Sequence, residues 1–153
     1  MKRLAANPSR RGLLQKIGIG AIIVSMPGVA QATPEQVAEE LKKLIPGKTP
    51  ADGKIKLDLP SIAENGLVVP LNFEVESPMT EQDHVKAVHI FAEGNPNPLI
   101  ASYYFTPLAP KAAAGIRIRL AQTQNVIAIA EMSNGDLYTV KKEVKVTIGG
   151  CGG

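Results

Sequence analysis

The chain has 153 residues, a one-domain length, and its 44% hydrophobic and 20% charged content is that of a globular protein rather than a disordered one. With three Tyr, three Phe and no Trp, the core is expected to be aliphatic, and no aromatic platform for stacking bases or sugars is on offer. The formal charge of +3 does not point to nucleic acid. Five of the 17 basic residues (Lys2, Arg3, Arg10, Arg11, Lys16) and none of the 14 acidic ones fall in the first 32 positions, and without that segment the net charge is −2.

Residues 1–32 read as a signal peptide of the twin-arginine kind. Ser9-Arg10-Arg11-Gly12-Leu13-Leu14 sits in a basic, polar leader. A modest apolar stretch runs from Ile17 to Met26, broken by Gly18 and Gly20, and Ala30-Gln31-Ala32 supplies a small-x-small cleavage signature. The apolar run is shorter than the about 20 residues a bilayer span requires. The expectation is export in the folded state to the periplasm, cleavage after Ala32 and no membrane anchor. Folded export without a cofactor motif suits a protein that leaves with a partner already bound.

The mature chain is expected to open on a helix. Thr33 suits an N-cap, Pro34 the first helical position, and Thr33-x-x-Gln36 a capping box. Val37, Leu41, Leu44 and Ile45 give one apolar stripe, with Glu39, Glu40, Lys42 and Lys43 off it, and Pro46-Gly47 ends the helix. The stripe fits a cover on the domain's own sheet and a partner's surface equally well.

Beyond it the apolar period becomes two. Ile55, Leu57 and Leu59 alternate with Lys54, Lys56 and Asp58; after an Asn65-Gly66 turn, Leu67, Val69, Leu71, Phe73 and Val75 alternate with Asn72, Glu74 and Glu76. Pro70 in that run argues for an edge or a bulge. Further strands are predicted at 85–92, 99–105, 116–121, 126–132 and 137–148, separated by breaks at 94–98, 106–115, 122–125 and Asn134-Gly135. About seven short strands with no alternating helices predict a mainly β fold: an antiparallel immunoglobulin-like β-sandwich over residues 33–148, here without its disulfide, with the helix at its N-terminal end.

Residues 149–153 are Gly149-Gly150-Cys151-Gly152-Gly153, and Cys151 is the only cysteine. Glycine samples both signs of φ, so this stretch predicts a slim, flexible arm that ends in a thiol. From Ile148 to Cys151 an extended chain reaches roughly 10 Å. A thiol's ordinary pKa is about 8.5, and the sequence places no histidine or helix N-terminus beside Cys151 to lower it. Cys151 therefore reads as a substrate-bearing thiol whose chemistry others supply. An unpaired cysteine in an oxidising compartment also allows disulfide-linked dimers through Cys151.

Other candidates are weaker. His84 and His89 lack further ligand-type residues at zinc spacing and read as structural or solvated. Glu74 and Glu76 fit a wet strand face. Lys141, Lys142 and Lys145 precede the arm and fit either an anion-attracting rim or a solvated face. No Ser-His-Asp arrangement is found, so no catalytic residue, metal or cofactor is expected.

The leader, the small β-rich domain and the terminal Val146-Thr147-Ile148-Gly149-Gly150-Cys151-Gly152-Gly153 resemble the SoxY family, carriers of the bacterial sulfur-oxidising (Sox) system. The layout matches over the whole chain; the identity lies in the tail. The resemblance implies a periplasmic carrier with no activity of its own, holding thiosulfate-derived sulfur covalently on Cys151. Gly149, Gly150, Gly152 and Gly153 would form the swinging arm. It implies a heterodimer with a SoxZ-like sandwich subunit. It also implies loading by a c-type cytochrome, SoxAX, release of sulfate by the hydrolase SoxB, and, where present, oxidation of the remaining sulfur by the molybdenum–haem dehydrogenase SoxCD. Neither nucleic acid nor membrane is among the implied partners.

Rival readings differ in what they require. A ubiquitin-like sulfur carrier would use the Gly152-Gly153 carboxylate, needs ATP-dependent activation in the cytosol and has a central helix that this pattern lacks. An exported structural or interaction module with a disordered tail would not need the thiol. A metallochaperone needs more ligands than one thiol, and an enzyme in its own right would turn over thiosulfate alone.

Overall fold

The computed structural model describes residues 34–44 and 46–148. Helix α1 is Pro34–Leu44. The strands are β1 (Ala51–Asp52), β2 (Ile55–Asp58), β3 (Ile62–Ala63), β4 (Val69–Val75), β5 (Val85–Ala92), β6 (Leu99–Tyr104), β7 (Ala112–Ile118), β8 (Gln124–Met132) and β9 (Leu137–Val146). They form two sheets. The larger runs β1-β9-β8-β5-β6 with β3 also on β9, and the smaller runs β2-β4-β7. The chain is thus the mainly β, immunoglobulin-like sandwich the alternation predicts, and all seven predicted strands are present. The two-residue strands β1 and β3 are additional, and both pair parallel with the free edge of β9, at residues 138–139 and 145–146.

The core lies between the sheets. Val69, Leu71, Phe73 and Val75 of β4 are buried in one cluster with Val88, Ile90 and Ala92 of β5 and Val126, Ala128 and Ala130 of β8. Their period of two turns every second side chain inward, leaving Asn72, Glu74 and Glu76 in solvent. Phe73 joins the layers, its ring edge-on to Tyr103 at 5.2 Å and to Phe105 at 6.3 Å. Such aromatic pairs add about 0.5–1.5 kcal/mol beyond the area they bury. Pro70 sits where β4 has a neighbour on one side only, because β2 pairs only with residues 72–75. The edge expected from the missing N–H is therefore local to that residue.

The outer face of the larger sheet is also covered. Phe91 and Ile129 alternate with the core residues and so point away from it. Val37 of α1 packs on both, with Leu41, Leu99 and Ile127 alongside. The helical stripe thus covers the domain's own sheet at Val37 and Leu41, while Leu44 is exposed. The expected cap at Thr33 and the last stripe position, Ile45, lie outside the described residues.

Two placements differ from the sequence pattern. The strand expected at 116–121 runs from Ala112 to Ile118, inside what reads as a break. Ala112-Ala113-Ala114-Gly115 has no alternation to betray a strand, yet it pairs residue for residue with Asn72–Val75. A Cβ at Gly115 would lie 2.6 Å from Asn72 Oδ1, so a larger residue there would turn the exposed Asn72 side chain aside. Leu67, expected on the buried face of the second long strand, precedes β4 and is exposed.

Candidate functional site

The predicted site residues Gly149, Gly150, Cys151, Gly152 and Gly153 lie outside the described residues. What the structure describes is the support from which they continue. β9 is the longest strand, and its ladder to β8 spans Gln124↔Val144 to Glu131↔Leu137. Beyond it, segment 61–66 binds the chain along the opposite edge. Lys145 N–H donates to Ser61 O at 2.9 Å and Thr147 N–H to Ala63 O at 3.1 Å; Thr147 Oγ1 donates to Glu64 O at 2.9 Å. Val146 N–H donates to Thr123 Oγ1 at 2.9 Å.

The final bond is made by the turn. Gly66 N–H donates to Ile148 O at 2.9 Å, while Gly66 O accepts from Leu120 N–H at 2.8 Å. Asn65 Oδ1 accepts from Leu67 N–H at 2.8 Å, closing a local side-chain turn that holds Gly66 in place. Backbone bonds to both flanking segments make the exit point of the chain a fixed one. The Asn65-Gly66 signal was legible in the sequence as a turn. Its bonds to residues more than 50 positions away carry no local signature.

Most of the other candidates bond to groups of the domain itself. Lys141 Nζ reaches Glu93 Oε1 at 2.7 Å and Lys142 Nζ donates to Leu59 O at 2.7 Å, so both are committed to the domain's own groups; Lys145 is exposed beside β3. Glu74 and Glu76 face Lys111 at 3.8 Å and Lys56 at 3.4 Å on the wet face of the smaller sheet. A depression there of about 350 Å³, between Lys56, Asp58, Glu74 and Ala113, shares no residue with the exit point. His84 Nδ1 lies 3.1 Å from Thr80 O, and buried His89 lies with Nδ1 2.8 Å from Ser102 Oγ. Burial lowers the His89 pKa, and the nearby Glu131 charge only partly opposes this. Among the described residues no three His, Cys, Asp or Glu side chains gather where they could hold a metal ion. No helix among them is long and apolar enough to cross a membrane.

A family model described as sulfur oxidation protein SoxY matches residues 41–151, a span that includes Cys151. Among solved structures, the sulfur carrier protein SoxY from Chlorobium limicola f thiosulfatophilum is similar with 28% identity and a TM-score of 0.64, over 74% of this chain and 98% of that one. A superoxide reductase (neelaredoxin) from Ignicoccus hospitalis is similar at 19% identity and TM-score 0.54, over 79% of this chain and 98% of that one. A putative superoxide reductase from Thermotoga maritima is similar at 15% and 0.55, over 64% and 92%. These last two likenesses are of fold alone. No curated protein matches the sequence.

Proposed function

The chain belongs to the SoxY family of sulfur oxidation proteins, and we propose that it is a periplasmic sulfur carrier whose attachment point is Cys151. The observation that carries this reading is the pairing of a rigid exit with a short reach. The described fold is hydrogen-bonded up to Ile148, and the family match runs three residues further, to the only thiol in the chain. Gly149, Gly150, Gly152 and Gly153 are the arm, with no side chain to obstruct a narrow channel. The chain is itself no enzyme; it is the covalent substrate of others.

Loading joins the Cys151 thiol to the outer sulfur of thiosulfate, forming an S–S bond and a cysteine S-thiosulfonate, with loss of a proton and an electron pair. A SoxAX-type cytochrome accepts those electrons. Hydrolysis by a SoxB-type enzyme then breaks the bond between the two sulfurs of the thiosulfate unit. Water supplies the oxygen of the departing sulfate, and a persulfide remains on Cys151. A SoxCD-type dehydrogenase, where present, oxidises that sulfur. The twin-arginine leader, residues 1–32, delivers the folded chain to the periplasm together with a SoxZ-like partner.

Thiosulfate labelled in its sulfane sulfur, incubated with the reduced protein and the periplasmic loading cytochrome, tests this directly. The account expects label on the wild type that reductant releases, and none on Cys151→Ser, with the variant's thermal midpoint within about 2 °C of the wild type. Equal labelling of the two proteins would move the attachment point elsewhere.

A further inference from the structure

His89 is a buried ionisable side chain for which the carrier reading has no task. It stands on the outer face of the larger sheet, with its Nδ1 2.8 Å from Ser102 Oγ. On that face its neighbours are Phe91, two residues along β5, and Ile129, directly across on β8. Those two are the residues on which Val37 of α1 rests. An outward face stays dry only under something laid over it, and α1 is the described helix that lies there. The cover is weakly held. It has eleven residues, fewer than the about 12–15 a helix needs to persist alone in water, so it is helical only while docked. Val37 is the one buried side chain among those described in it, Leu41 is half-buried and Leu44 is exposed. An element with so little buried apolar surface belongs to the part of a fold that opens locally, ahead of global unfolding.

We propose that α1 is an acid-released cover: protonation of His89 favours the state in which α1 has left the sheet and water reaches the imidazolium. The charges around His89 do not undo this. Glu131 of β8, which favours the proton, is paired with Lys86 of β5 at 2.7 Å, and Tyr104 of β6 meets the ring edge-on at 6.2 Å. On α1, Glu40 is paired with Lys43 at 2.6 Å, and Glu35, Glu39 and Lys42 are exposed. Burial outweighs the Glu131 charge and holds the docked pKa below the ordinary value of about 6.5. With α1 away the ring is solvated and titrates nearer that value, so the released state takes up the proton at the higher pH. Docking is therefore strongest above about 6.5 and weakens as pH falls through the docked value. This device needs only the fold. In the carrier reading it gains a use, because hydrolysis of a cysteine S-thiosulfonate to persulfide and sulfate takes up one water and frees a proton.

Amide hydrogen exchange of the mature protein at pH 7.5 and pH 5, corrected for the intrinsic pH dependence of exchange, tests this. Residues 38–44, whose N–H groups bond within α1, are expected to be less protected than β4 at both pH values and to lose about tenfold of their protection at pH 5. In His89→Gln their protection should stay within about twofold over the same range. Three results would overturn the proposal. Equal protection of α1 and β4 would mean that the helix leaves only with the whole fold. Equal α1 protection at the two pH values would mean that its release does not uncover His89. A loss of wild-type size in His89→Gln would mean that other groups drive it. Val37→Ala keeps the test decisive should His89→Gln not fold. Linkage is reciprocal, so loosening the helix should raise the pH at which the ring protons of His89 titrate, towards the ordinary value. A His89 titration that Val37→Ala leaves unmoved would break the coupling between the helix and the proton.

Discussion

His89 is held neutral by its surroundings. It is 3% exposed, its Nδ1 meets Ser102 Oγ at 2.8 Å, and the Tyr104 ring stands edge-on at 6.2 Å. Burial disfavours the imidazolium, so the folded pKa lies below the ordinary value of about 6.5 despite the Glu131 charge. The unfolded chain therefore takes up this proton at a higher pH than the fold does. The contribution is whole above about 6.5 and is lost as pH falls through the folded value. Urea midpoints measured at pH 7.5 and pH 5 are expected to fall further for the wild type than for His89→Gln. Parallel declines would assign the acid sensitivity to other groups.

Among the elements, β4 and β7 mark the two extremes of what the sequence reveals. β4 alternates apolar and polar side chains, and the burial follows residue by residue from Val69 to Val75. β7 starts on three alanines and a glycine, so its position is set by its pairing with β4, which leaves no local pattern. β1 and β3 are legible in no window, since two residues carry no period, and only β9's free edge makes them strands. The candidate site divides the same way. Gly149-Gly150-Cys151-Gly152-Gly153 announces itself, whereas the grip on Thr147 and Ile148 is long-range. Thr147→Val keeps the N–H bond to Ala63 O and removes the hydroxyl bond to Glu64 O. The loss is expected to be about 0.5–1 kcal/mol, because the hydroxyl is exposed, and to appear as faster amide exchange at Thr147 and Gly66. Unchanged protection there would mean that the hydroxyl does not help to fix the exit point.

For the molecule as a whole, a sandwich with few aromatic residues depends heavily on the ones it has. Phe73 of the smaller sheet meets Tyr103 of the larger and Phe105 just beyond it, so Phe73→Ala opens a cavity between the layers. A loss of about 3–5 kcal/mol is expected in urea unfolding, a large share of a domain's typical 5–15 kcal/mol; a loss under about 1 kcal/mol would mean that the layers close over the gap. In the carrier reading, this core holds the hydrogen-bonded exit at Ile148, three residues before the thiol. The carrier reading is tested most directly by intact mass spectrometry of the protein taken from the periplasm of thiosulfate-grown cells, with and without reductant. The account predicts a chain that begins at Thr33 and carries thiosulfonate or sulfane sulfur on Cys151, removed by reductant. A bare thiol, or only a disulfide dimer, would contradict it.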